Sequence, residues 1–290
     1  MRFHECLVDN FNDDGFEPGP KRERGHIYIY QNYISGLLSP FTLEGKKAIP
    51  ITSEPGSGVY IYRNIIDLRQ GAYKTPPAAA DPSGAFLHQP VDTLDHDHGS
   101  PIHPVAYIYQ NTFLLATGVT RGYYAFSWGA HAAGTTRRVF NNIFLQVDGL
   151  PGMNVTGLSP DDDFQADGNL YWGAREGAAH LTDFFEKFRQ SPIVAASKQR
   201  YAPGLGASDR FADPQFVSFD VGGKHPVDPR IGTASAAVGG GVALSTEWPD
   251  PLRSSNGGRP DIGALPQGAN AWGVGVHGRI ALTGELKKNP

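Results

Sequence analysis

One short motif governs what this chain can become. It recurs at Cys6-Leu-Val-Asp-Asn10, Ile27-Tyr-Ile-Tyr-Gln-Asn32, Val59-Tyr-Ile-Tyr-Arg-Asn64, Ala106-Tyr-Ile-Tyr-Gln-Asn111 and Arg138-Val-Phe-Asn-Asn142, with a degraded copy at Asp167-Gly-Asn169-Leu-Tyr. The terminal asparagines stand 22, 32, 47, 31 and 27 residues apart, too close for separate domains and too irregular for helical repeats of fixed length. Stacked turns of one unit, carrying loops of unequal size, satisfy both facts.

Each copy is a short aromatic and β-branched run stopped by Asn, which is strand composition ended by a residue that tolerates left-handed φ. A second apolar run follows at Tyr33-Ile34, Ile65-Ile66, Thr112-Phe-Leu-Leu115 and Ile143-Phe-Leu145, so the chain bends at Asn and continues as strand. A third strand per coil is expected at Asp14-Gly-Phe-Glu17, Ile49–Glu54, Ala85-Phe-Leu-His88 and Tyr123–Trp128. Three strands per coil build an all-β fold, a right-handed parallel β-helix. Equivalent strands about 4.8 Å apart would align the asparagines in an internal ladder of side-chain amides. That role is architectural, and no chemistry is assigned to them.

The expected organisation is a single domain over residues 1–266. It divides into coils over about 1–175, an irregular helix and loop region over about 150–215, and a closing segment over 216–266; residues 267–290 read as a tail. Within the irregular region, Leu181-Thr-Asp-Phe-Phe-Glu-Lys-Phe-Arg189 has apolar residues at helical spacing and is stopped by Pro192, so it reads as a short amphipathic helix packed on the coils.

The coils, the segment Phe211-Ala-Asp-Pro-Gln-Phe-Val217 and the ending Trp248-Pro-Asp-Pro-Leu-Arg253 with Gly258-Arg-Pro-Asp-Ile-Gly-Ala264 resemble the C-terminal half of bacterial right-handed parallel β-helix proteins of the pectate-lyase-like superfamily. The resemblance spans about residues 1–266. It implies the fold. The superfamily holds polysaccharide lyases, glycoside hydrolases, epimerases, tailspikes and adhesins, so the resemblance does not choose a reaction.

Composition narrows the chemistry. A net charge of -4 removes a general phosphate-binding surface, so nucleic acid is not an expected partner, whereas a neutral or polyhydroxylated polysaccharide or oligosaccharide is. The single cysteine, Cys6, excludes an internal disulfide framework and a cysteine zinc site. No stretch approaches the roughly 18 apolar residues of a membrane span. The chain opens inside a repeat, so a secreted or periplasmic protein whose signal sequence precedes this segment is expected. An uncapped first coil would then invite self-association.

Three groups of residues are candidates for chemistry. Asp13, Asp14 and Glu17 crowd carboxylates on a turn, where like charges raise one pKa and can supply a general acid beside an ionised base or nucleophile. The Asp-Asp pair resembles the catalytic aspartates of polygalacturonase-like hydrolases, whose Asn-Thr-Asp, Gly-His-Gly and Arg-Ile-Lys signatures do not occur here. If third strands stack in step, Glu17 and Glu54 lie on neighbouring rungs at about 5 Å, the separation of a retaining glycosidase, with His88 on the next. The third group is Asp95-His96-Asp97-His98 with His103, in the longest inter-coil loop, where rigid repeats place function. These residues also fit a polar corner, a solvated edge and a hydrogen-bonded loop.

The catalytic set is therefore Asp13, Asp14, Glu17, Glu54, His88, Asp97 and His98. Substrate contacts are expected from Arg63 and Arg69 on a uronate, from His96 and His103, and from Trp128 and Tyr124 (or its neighbour Tyr123) on sugar rings. No metal or cofactor is expected, although Asp161-Asp-Asp-Phe-Gln-Ala-Asp167 is oxygen-rich enough to suit calcium. The function these residues suggest is glycosidic-bond cleavage in a polysaccharide. Hydrolysis is favoured by the number of carboxylates. A polysaccharide lyase of the same fold and a non-catalytic glycan-binding or structural module are the alternatives.

Overall fold

A computed structural model of the chain describes residues 1–9, 14–16, 26–36, 39–41, 58–69, 105–116, 126–127, 136–147, 153–154, 163–175, 177, 185–186, 188–222, 227–253, 258–270, 272–275 and 280–281. The chain passes in turn through β1 (Arg2–His4), β2 (Leu7–Asp9), β3 (Asp14–Phe16), β4 (His26–Tyr30), β5 (Tyr33–Ser35), β6 (Ser39–Phe41), β7 (Gly58–Tyr62) and β8 (Ile65–Leu68). It continues through β9 (Ala106–Tyr109), β10 (Thr112–Leu115), β11 (Phe126–Ser127), β12 (Arg137–Phe140), β13 (Ile143–Gln146), β14 (Met153–Asn154), β15 (Phe164–Asp167) and β16 (Leu170–Gly173). Helix α1 (Pro192–Arg200), β17 (Arg210–Phe211), β18 (Phe216–Ser218), β19 (Asp228–Ile231), β20 (Gly273–Val274) and β21 (Ile280–Ala281) complete the order.

Two parallel sheets stack these strands in register. The first has the order β1-β4-β7-β9-β12-β15 and the second β17-β16-β13-β10-β8-β5-β2, with successive rungs separated by the inter-coil loops. The arrangement is consistent with a β-helix or solenoid-like fold. Alternation decides what lies between the sheets: Ile29, Ile61, Ile108 and Val139 from the first meet Ile66, Phe113 and Phe144 from the second in one buried cluster. The middle strands of the second sheet are covered on both faces, which is why β8, β10 and β13 are buried at every position and apolar at most of them.

The bend between the sheets falls one residue earlier than the asparagine reading expects. Gln31, Arg63, Gln110 and Asn141 carry φ between 54° and 57°, and Gly168 carries 68°; the asparagine that follows each of them does not. That asparagine instead points inward. Its Oδ1 is bonded by the backbone N–H of the rung before, and its Nδ2 donates to the next rung: Asn32 to Asn64 at 2.9 Å, Asn64 to Asn111 at 3.0 Å, Asn111 to Asn142 at 3.0 Å and Asn142 to Asn169 at 3.1 Å. The ladder is there, fully buried.

Its first member is corrected. Register pairs Phe3 with Ile29 and His4 with Tyr30, so Cys6, not Asn10, holds the ladder position, and the Cys6 N–H donates to Asn32 Oδ1 at 2.9 Å. The third strands are corrected too. β3 pairs with β6, setting Phe16 opposite Phe41, so the rung next to Asp14–Phe16 is Ser39–Phe41 and not the run at 49–54.

The C-terminal end of the stack is closed by apolar side chains. Phe185 and Phe188, on a helical stretch, and Val194 and Leu205 join the core beside Tyr171. Pro192 ends that stretch, and it also starts α1, because proline suits the first helical turn, where its missing N–H costs nothing. The described residues from 212 onward then run back along the outside. Ile231 packs on Ile143 and Leu170, Ala264 and Val274 lie in one cluster with Ile65 and Leu114, and the Gly275 N–H reaches Glu5 O at 2.9 Å on the first rung. The described part of the expected tail is thus packed against the coils.

Candidate functional site

Two of the left-handed corner residues, Arg63 and Asn141, bond to this returning segment. Arg63 is bidentate to Asp250 (Nε to Oδ1 2.9 Å, Nη2 to Oδ2 2.8 Å), donates through Nη1 to Gly263 O at 2.8 Å, and leaves the two side chains 2% and 4% exposed. Two rungs further, Asn141 clasps Val242 through both its amide atoms, each at 2.8 Å. Gly168, at the next corner, has no room for a side chain: a Cβ there would lie 2.4 Å from Asn141 Oδ1.

Between Arg63 and Asn141 stands Gln110. Gln110 is 1% exposed, and neither Oε1 nor Nε2 has a hydrogen-bond partner among the described residues. Beside it, where the returning segment arches over the corner, lies a cleft of about 780 Å³. Three guanidinium groups line it, Arg63, Arg253 and Arg259, against two carboxylates, Asp250 and Asp261. Asp250 is held by Arg63, and Asp261 accepts the backbone N–H groups of Gly239 and Gln267 at 2.7 Å each. Arg253 donates to Ser245 O and Trp248 O, while Arg259 uses only Nε, to Gly241 O at 3.0 Å, among the described residues. The excess is one positive charge, and Leu244, Leu252, Pro260 and Pro266 supply apolar wall.

Of the residues expected to act, Asp13, Glu17, Glu54, His88, His96, Asp97, His98, His103, Tyr124 and Trp128 lie outside the described residues, and Asp14 is described only as the first backbone position of β3, opposite Ser39. Arg63 lines the cleft with its charge already matched by Asp250. Arg69 lies elsewhere: its guanidinium is bidentate to Asp67 at 2.8 and 2.7 Å and also donates to Asp220 O, and Tyr33 adds an O–H bond to Asp67 at 2.9 Å. In the oxygen-rich segment, Asp163 accepts from Thr136, Arg138 and Tyr201, and Asp167 accepts the Ser208 N–H at 2.6 Å.

Gln110, Arg253 and Arg259 were not singled out from the sequence. The available signal for the first is the polar residue that precedes each ladder asparagine; the other two reach the cleft only through chain reversal. Comparison with protein-family models, with curated proteins and with solved structures finds no match for this chain.

Proposed function

We propose that the chain is a right-handed parallel β-helix of the pectate-lyase-like kind that cleaves glycosidic bonds in a polysaccharide by hydrolysis, in a secreted or periplasmic setting. The observation that carries this reading is the in-register stacking of parallel strands from residue 2 to residue 211, a scaffold of the kind on which long connecting segments carry function. In this reading the acid and base come from Asp13, Asp14, Glu17 and Glu54, with His88 on the next rung and Asp97 and His98 from the long inter-coil loop completing the site.

The test is product analysis by mass spectrometry after incubation with a polysaccharide panel, using the chain and its Glu17→Gln and Asp14→Asn variants. Hydrated oligosaccharides that disappear in a variant support hydrolysis. Products lighter by one water support elimination, and no product from any substrate overturns the catalytic reading. A non-catalytic glycan-binding or structural module is the second reading, favoured by one observation: both arginines expected on substrate, Arg63 and Arg69, are bound to carboxylates that tie the structure together.

A further inference from the structure

We infer that the cleft beside Gln110 is a binding site for a small organic carboxylate that carries a hydroxyl or amide group set apart from its acid. A buried primary amide with both atoms unpaired is costly, and native structures rarely leave one without a reason. Here the contrast is internal. The corner residues on either side use the same position to grip the returning segment, Arg63 through Asp250 and Asn141 through Val242. Between them, Gln110 makes no such bond among the described residues, and it lines the cleft.

The groups present define the ligand. The Gln110 amide offers a donor and an acceptor side by side, which a hydroxyl or a second amide matches. Arg253 and Arg259 give the rim its excess positive charge, and guanidinium pairs with carboxylate in two parallel bonds. The apolar wall from Leu252 and Pro260 receives the body between those ends. At about 780 Å³ the cleft is in the range of small-molecule sites. A hexuronate and an N-acyl amino acid share this chemistry, one through hydroxyls and the other through an amide. The site does not depend on catalysis elsewhere in the chain.

The experiment is isothermal titration of the full chain with glucuronate, with N-acetylalanine and, as neutral counterparts, with glucose and N-acetylalanine amide. Binding of one acid over its neutral counterpart, weakened about tenfold or more by Arg259→Gln and by Gln110→Asn, is the expected result. Asn retains tolerance of the left-handed backbone while withdrawing the amide from the cleft. Which acid binds identifies the source. Unchanged melting temperatures establish that both variants fold. Absence of heat with both acids, or acid binding that both folded variants retain, overturns the proposal and leaves the cleft a water-filled recess.

Discussion

Asn169 donates its backbone N–H to Oδ1 of Asp209 at 2.9 Å, so the column of amides that begins at Asn32 ends on a carboxyl group. Asp209 is in the position a further asparagine would occupy, but it has no amide to donate onward, and its Oδ2 has no hydrogen-bond partner among the described residues. Burial, reinforced by the nearby Asp167, pushes its carboxyl up to about 8.

A pH dependence follows. An acid whose folded pKa lies above its unfolded value binds more protons when folded, so its contribution is fully present below about pH 4 and is lost as pH rises towards about 8. Asp209→Asn removes the proton requirement. Urea unfolding across pH 5 to 8 should show a shallower fall in stability for this variant, and a gain of at least ~1 kcal/mol at the upper end. An unchanged slope would show that Asp209 is ionised in the folded chain.

Arg63→Met leaves Asp250 buried without its partner, which costs roughly 3–5 kcal/mol. Arg63→Met combined with Asp250→Leu should recover most of that loss. Hydrogen exchange should locate the damage in residues 242–253 of the returning segment, with the ladder strands protected. Equal loss of protection in both would mean that the segment and the coils unfold as one unit.

Within the ladder, Asn111→Leu strands the Asn64 backbone N–H and one Asn64 side-chain N–H in a dry interior, while Asn142 Oδ1 keeps only the Asn111 backbone N–H. The expected cost is about 3 kcal/mol or more, read as a lower urea midpoint. A substitution neutral in that assay would exclude the ladder as a source of stability.

Cys6→Asn tests the register at the first rung. An amide at that position can donate to Asn32 Oδ1 as the later rungs do, and should add ~1 kcal/mol and slow exchange of the Tyr33 N–H, which bonds to Cys6 O. Asn10 should be replaceable by Ser without effect on that amide. The reverse pattern would restore Asn10 to the ladder.

The asparagine column was legible because strands in step repeat the same residue at the same place, and five of its members, Asn32 to Asn169, were read correctly. Asn10 was not, because an asparagine after a short apolar run satisfies the local rule whichever register holds. What decides is that Phe3 and Val8 pack against the core. The third strand at Ser39–Phe41 escaped for a related reason: it is three residues long and contains a proline, so its composition resembles a turn.

By itself the sequence determined the repeating strand pair, the amide column and the irregular stretch that closes the stack, since each is written in residues close together along the chain. Tertiary structure alone decided the fate of Arg63 and the existence of the cleft. Arg63 meets Asp250 across 187 residues and Gly263 across 200, contacts that arise only because the chain turns at the far end of the stack and retraces its length. A guanidinium that local reading assigns to a ligand is thereby committed to the fold, while Gln110, an ordinary member of the repeat, is left as the buried corner side chain whose hydrogen bonds remain to be met.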